Sequence, residues 1–160
     1  MKRLFAVTAL CFALAAPAFA DGKIYVQLPD LSEWQGEEAE AFLNEVVLAN
    51  IVSSNCAGFE ITDEEWSLLT DSADLLARGQ LGLSIDDYDA KYYSPAFDAL
   101  DDPNTCGQVG PRVQSTIDLL VDLGGSREAL PDQDAAYEAE QARNAAWDSG
   151  ATTPKKSKTK

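Results

Sequence analysis

The apolar positions of the chain fall mainly into segments of helical period. From Glu37 to Ser53, Phe42, Val46 and Ala49 mark one stripe, and Leu43, Val47, Leu48, Ile51 and Val52 widen it. A helix this apolar in its second half buries most of its sides, which makes it the predicted central core element. The acidic residues at its start suit the positive end of the helix dipole. A second helix is predicted from Thr62-Asp63-Glu64-Glu65, a capping box in which the Thr62 hydroxyl and the Glu65 carboxylate satisfy each other's backbone amides. Ile61 and Trp66 stand where a hydrophobic staple would close, and Trp66, Leu69, Ala73 and Leu76 continue the face. Arg78-Gly79 predicts its stop.

Ser84 is the predicted cap of a third helix, with Asp86 and Asp87 in its first turn and Ile85, Tyr88, Tyr92 and Ala96 at helical spacing. Pro95 falls inside this pattern, so a kink or a division into two short helices is expected. Asp101-Asp102-Pro103-Asn104 is a strong turn signal. In the fourth segment Gly110-Pro111 reads as a cap followed by proline at the first helical position, where a missing N–H costs nothing. Val113, Ile117, Leu120 and Val121 form its stripe, and Gly124-Gly125 stops it. A fifth helix is predicted from Asp132 to Asp148, striped by Ala135, Ala139, Ala142 and Ala146. Alanine favours the helix but buries little area, so this helix is expected to dock lightly.

Two stretches have a different character. Over residues 21–36, Ile24, Val26 and Leu28 alternate with polar neighbours until Pro29, a strand-like period of two. No second strand pattern accompanies it. An extended arm lying on the helical body is therefore expected, and an arm that pairs with a partner's sheet edge is the sharper alternative. Residues 149–160 are Gly, Thr, Pro and Lys-rich and predict a disordered basic tail.

The first twenty residues stand outside this scheme. Lys2 and Arg3 precede an uncharged apolar run that ends Ala18-Phe19-Ala20, which is the pattern of a secretory signal peptide over 1–20. Leu10 before Cys11 does not fit a lipoprotein signal. No other run is long enough to cross a membrane, so no stable insertion is expected after cleavage. The chain is then parsed as a leader (1–20), an arm (21–36), a helical domain (37–125), a peripheral helix (126–148) and a tail (149–160). The fold class is all-α: a small bundle of four to five helices.

Export changes the reading of cysteine and charge. Cys56 and Cys106 remain after cleavage, and in an oxidising compartment they most simply form one disulfide. It would tie the end of the first long helix to the start of the fourth. Without Lys2 and Arg3, ten basic residues face 27 acidic ones, a net charge near −17. That field disfavours nucleic acid and anionic headgroups; it simply keeps an exported chain soluble or, alternatively, favours a cationic partner. The chain contains no histidine. Triads that need an imidazole, and zinc sites that need one, are thereby excluded.

The acidic clusters invite a metal reading. Asp63, Glu64 and Glu65 fit capping better. Asp87, Asp89 and Asp98 mimic part of a calcium-loop frame, but Lys91 takes a ligand position and Tyr92 the position of the turn glycine. No metal, cofactor or catalytic residue is assigned. The residues singled out are structural: Cys56 and Cys106 as the disulfide, and Thr62, Glu65 and Ser84 as caps.

Asn55-Cys56 after a long apolar helix, then Leu81-Gly82-Leu83-Ser84-Ile85-Asp86-Asp87-Tyr88, then Cys106-Gly107 to Gly110, resembles a family of small exported alphaproteobacterial helical proteins of unknown function. The resemblance covers about residues 40–124 and implies a helical exported domain with no activity attached. A looser similarity is to small periplasmic acid-stress chaperones, which share a single disulfide and a C-x-x-F such as Cys56 to Phe59. Three functions are carried forward: a non-enzymatic periplasmic or secreted accessory protein with a protein partner, an acid-activated holdase, and a hydrolase built on paired carboxylates. Without histidine, an acid switch would have to work through carboxylates.

Overall fold

A computed structural model describes residues 22–150. The expected leader lies outside the described residues, as does the expected tail beyond Gly150. The described chain is helical in five runs, joined by short loops and preceded by an extended arm.

The first run, α1 (Gly36–Asn55), lies at the centre, with α5 and α2 against it and α4 alongside. Phe42, Leu43, Val46, Val47, Ala49, Ile51 and Val52 are all buried, as the stripe predicted, and Leu48 is half-buried. Each such side chain taken out of water contributes about 1.5–3 kcal/mol before chain entropy is counted. The second run, α2 (Asp63–Asp74), opens on the predicted capping box. Thr62 Oγ1 accepts from the Glu65 amide at 3.2 Å, and the Thr62 amide donates to Glu65 Oε2 at 3.1 Å. Leu68, Leu69, Ala73 and Leu76 are buried, but Trp66 is 40 % exposed and does not continue the inner face.

This run does not stop at Arg78-Gly79. It passes Asp74 into a π-helical turn, Leu75–Gln80, and ends at Gly82, whose φ of +61° is left-handed. Gly79 instead faces Trp147: a Cβ there would lie 3.6 Å from the indole. Gly79 lies within the π turn, and the left-handed stop falls three residues later.

The third run is α3 (Ile85–Tyr88), a π-helical turn (Asp89–Tyr93), α4 (Ser94–Asp98) and a 3-10 turn (Ala99–Asp101). Ser84 caps it, accepting from the Asp87 amide at 3.0 Å. The run is divided into two short α-helices, as expected, with the division at the π turn before Pro95 rather than at the proline itself. The π turn just before it widens the backbone, and Ser94 donates to the Asp89 carbonyl, five residues back. Such widening relieves the clash between a proline ring and the carbonyl four residues earlier.

The fourth run, α5 (Thr105–Asp122), starts five residues before the predicted cap, Gly110, with Asn104 leading in and Pro111 inside the helix. Gly110 is not a cap. It is buried, and a Cβ there would sit 2.3 Å from the Phe59 ring. Phe59 comes from the loop between α1 and α2, and only a glycine lets that ring lie on the helix. Val113, Ile117 and Leu120 are buried as predicted, and Gly124, at φ +99°, ends the run. The Cys56–Cys106 disulfide is formed, with its Cα atoms 5.6 Å apart. It joins the end of α1 to the first turn of α5 and closes the excursion that holds α2 to α4.

The fifth run, α6 (Gln133–Asp148), is capped by Asp132, whose side chain accepts from the Ala135 amide at 3.0 Å. Its predicted alanine stripe is not the docking face. Ala135, Ala139 and Ala142 are exposed and Ala146 is half-buried, while the one buried residue of the helix is Glu140. The helix lies on polar contacts because the surface beneath it presents Lys23, Tyr25, Asp71 and Arg78.

The arm is part of the core: Tyr25, Val26, Pro29 and Leu31 are buried. It finds a backbone partner after all, in the segment between α5 and α6. Val26 bridges antiparallel to Ala129, Leu130 donates to the Tyr25 carbonyl, and Ser126 donates to the Gln27 carbonyl. The partner strand is so short that no alternating pattern marks it in the sequence.

Candidate functional site

The cap residues and cysteines picked from the sequence are all structural, and the disulfide and caps lie in separate parts of the bundle. Glu65 does more than cap. Its other oxygen, Oε1, accepts from Arg127 Nε at 2.9 Å, and Arg127 also reaches Asp118 at 2.6 Å. The guanidinium, held charged by those two carboxylates, clamps the start of α2 to α5. Ser84 and Asp87 also bond side chain to side chain, and Lys91 pairs with Asp87 at 3.4 Å. These two contacts engage the carboxylate that would have headed a calcium frame.

Two groupings not visible in the sequence carry chemistry. The first is a buried charge knot under the arm. Lys23 Nζ donates to Asp71 of α2 at 2.7 Å and to Glu140 of α6. Tyr25 adds its hydroxyl to Glu140 at 3.1 Å, and Gln133 holds the Tyr25 amide and carbonyl. Burial pulls the Lys23 ammonium down, but hydrogen bonds and charge from two carboxylates outweigh it, and its pKa is raised above the ordinary 10.5. Burial pushes the Asp71 carboxyl up, against the pull of Lys23. Arg78 makes a second anchor: it pairs with Asp148 and lies 5.0 Å from the Trp147 ring centroid, with Arg143 5.4 Å from the same ring.

The second grouping is a cleft of about 270 Å³ between α1, α2 and the α3–α4 run, lined by Trp66, Tyr88 and Tyr93 with Asn50, Asn55, Thr70 and Asp74. Trp66 and Tyr93 are each 40 % exposed, and Phe97, 47 % exposed, continues the aromatic surface 6.2 Å from Tyr93. Asp74 is half-buried and makes no hydrogen bond or ion pair with the described residues. Burial, followed by the charge of Asp71, raises its pKa. Tyr88 is pushed up to about 12, by burial first and by the charge of Asp74 next, so its phenol stays neutral. Each cleft amide commits one donor to the protein: Asn50 Nδ2 donates to Thr70 Oγ1 at 3.0 Å, and Asn55 Nδ2 to the Ile51 carbonyl at 2.7 Å.

A larger open groove of about 520 Å³ lies where α6 meets the start of α3, lined by Arg78, Ser84, Ile85, Asp86, Trp147 and Asp148. Its one cation is already engaged with Asp148 and Trp147. Asp71 and Glu140 line a smaller hollow of about 230 Å³, with Lys23 bridging both carboxylates.

Sequence reasoning missed Lys23, Asp71, Asp74 and Glu140. For the two α2 residues a signal existed. Asp71 and Asp74 interrupt a face otherwise made of Leu68, Leu69, Ala73 and Leu76, and a carboxylate on a buried face needs a reason. Comparison of the chain with family models, with curated proteins and with solved structures finds no match in any of the three.

Proposed function

We propose that this is a non-enzymatic exported accessory protein that works by binding a partner protein through the α2–α4 side of the bundle. The observation that carries the reading is the aromatic surface there. Trp66 and Tyr93 are exposed on the lining of one cleft, and the exposed Phe97 adjoins Tyr93, on a body of strongly negative charge. Exposed aromatic side chains grouped in this way favour protein contact, since they supply area at little entropic cost. The acidic field adds selectivity for a cationic partner and speeds its approach. The leader pattern supports a periplasmic or secreted location.

The other two readings draw less support. A hydrolase needs two carboxylates free to take and give protons, whereas Lys23 bridges Asp71 and Glu140. An acid-triggered release of α6 would draw on carboxylates whose pKa falls on folding. Asp71 and Asp74 shift the other way, so acidification through their range favours the folded chain at those two sites.

Site-specific photocrosslinking in the exporting cell tests the proposal. A crosslinker at Phe97 is expected to give one discrete adduct, and one at the exposed Glu128 to give none. Equal adduct patterns from both positions, or none from either, would remove the basis for a partner surface on α2–α4.

A further inference from the structure

We infer that the Trp66–Tyr88–Tyr93 cleft is a binding site for a lysine side chain of a basic partner protein, with Asp74 as the counter-charge. The inference rests on the partner reading above and names what that surface recognises.

The first ground is the hydrogen-bond ledger of the cleft. Asn50 and Asn55 each commit one of their two amide donors, to Thr70 and to the Ile51 carbonyl. Their carboxamide oxygens have no donor among the described residues, and neither has the Asp74 carboxylate. Beside the indole and hydroxyl donors of Trp66, Tyr88 and Tyr93, the walls therefore offer these oxygens and a carboxylate as acceptors. An ammonium is the complementary group, with three donors and no acceptor.

The second ground is the cost of leaving Asp74 as it is. A half-buried carboxylate without a paired cation is unfavourable, and protein interiors normally pair such a group. Three cations act on it through charge but none forms an ion pair with it: Lys23 spans Asp71 and Glu140, Arg78 pairs with Asp148, and Arg143 lies 3.8 Å from Glu140. The third ground is the rings. A cation within about 6 Å of a tryptophan or tyrosine face gains attraction, and more so when water is excluded. At about 270 Å³ the cleft falls below the usual range for a drug-sized ligand. It is suited to one side chain with an apolar stem and a charged tip.

The test uses the full exported chain and a synthetic pentapeptide, acetyl-Gly-Ser-Lys-Ser-Gly-amide, beside its norleucine counterpart. The Trp66 indole N–H resonance, assigned with Trp66→Phe, is the readout. The lysine peptide is expected to shift it with a dissociation constant on the order of 1 mM, about −4 kcal/mol. The norleucine peptide should leave it in place. Asp74→Asn should weaken binding at least tenfold while raising the melting temperature, so that lost binding is not lost folding. Equal shifts from both peptides, or an unchanged constant in Asp74→Asn, would overturn the inference.

Spermidine binding tenfold tighter than the peptide would assign the cleft to a free amine and overturn the partner source. A displaced Trp66 resonance in the full chain carrying K155Q, K156Q, K158Q and K160Q, with nothing added, would assign it to the chain's own lysines and overturn it likewise. Adducts at Phe97 that survive a negative peptide result would sink this inference alone. Peptide binding without any adduct would sink the broader partner reading instead.

Discussion

The seam between α1 and α5 and the seam between α6 and the rest of the molecule are closed by different forces. The first buries Leu43, Val46, Val113, Ile117 and Leu120 and is locked at one end by Cys56–Cys106. Its charges, Glu45 with Arg112 at 2.8 Å, sit at the rim. The second buries one α6 residue, Glu140, and depends on Lys23, Tyr25, Gln133 and Arg78 for its hold. Apolar burial is insensitive to pH and salt, whereas charge pairing depends on both. The first seam should therefore fix the fold, and the second should fail locally while the rest stands.

Removing the disulfide should have the largest effect on this comparison. With both Cys56 and Cys106 replaced by alanine, the chain-entropy model gives a loss of about 4 kcal/mol for a loop of 50 positions. Chemical denaturation should report it as a lower midpoint for the whole bundle. An unchanged midpoint would mean that the apolar seam alone closes α1 on α5.

Next comes Gly110→Ala, which drives a methyl into the Phe59 ring and should cost about 1–3 kcal/mol. The double variant with Phe59→Leu should recover part of it, since the two changes share one contact.

Lys23→Met should cost about 2 kcal/mol, discounted from a fully buried pair because the lysine keeps some solvent. Hydrogen exchange should speed up roughly tenfold across α6 and the arm while α1 and α5 keep their protection. A uniform change over all helices would show that the two seams are not separable.

The pH response sharpens the same contrast. Lys23 has a raised folded pKa, so its stabilisation is complete below the unfolded value of 10.5 and is lost as pH rises through the folded one. Tyr88 acts in the same direction between its ordinary value of 10.0 and about 12, because folding holds its proton. Melting temperature should thus fall on the alkaline side, and Lys23→Met should flatten the part that belongs to α6.

The smallest shift is expected from Asp74→Asn. It should raise the melting temperature by a few degrees at neutral pH. The gain should fade as pH falls and wild-type Asp74 takes up its own proton. A gain that persists in acid would mean the carboxylate is not the cause.

The helices of this protein were largely legible because their causes are local. The capping box at Thr62–Glu65, the Ser84 cap and the stripes of α1 and α5 need only neighbours within one or two turns. The ends of helices were less legible. Gly79, Gly110 and Pro111 look like punctuation, but Gly79 lies inside a π turn and Gly110 is a glycine for the sake of a distant aromatic ring, Phe59. Pro111 lies inside a helix that had already begun at Thr105. The face of α6 was misread for a related reason. Alanine spacing describes the helix alone, and the surface that receives it is built by Lys23, Tyr25 and Arg78 from other parts of the chain.

What the sequence determined by itself is the all-α class, the placing of five helical runs, the acidic balance, and a pair of cysteines able to bridge. What only the tertiary structure decided is which charges meet. Lys23, Asp71 and Glu140 are 48 and 117 positions apart when counted from the lysine. Asp74 becomes an unpaired carboxylate among aromatic rings only when α1, α2 and α3 pack. Helical periodicity is a short-range property of the backbone, fixed by hydrogen bonds four residues apart. Charge pairing acts through space, and the chain brings those partners together only after its apolar stripes have closed.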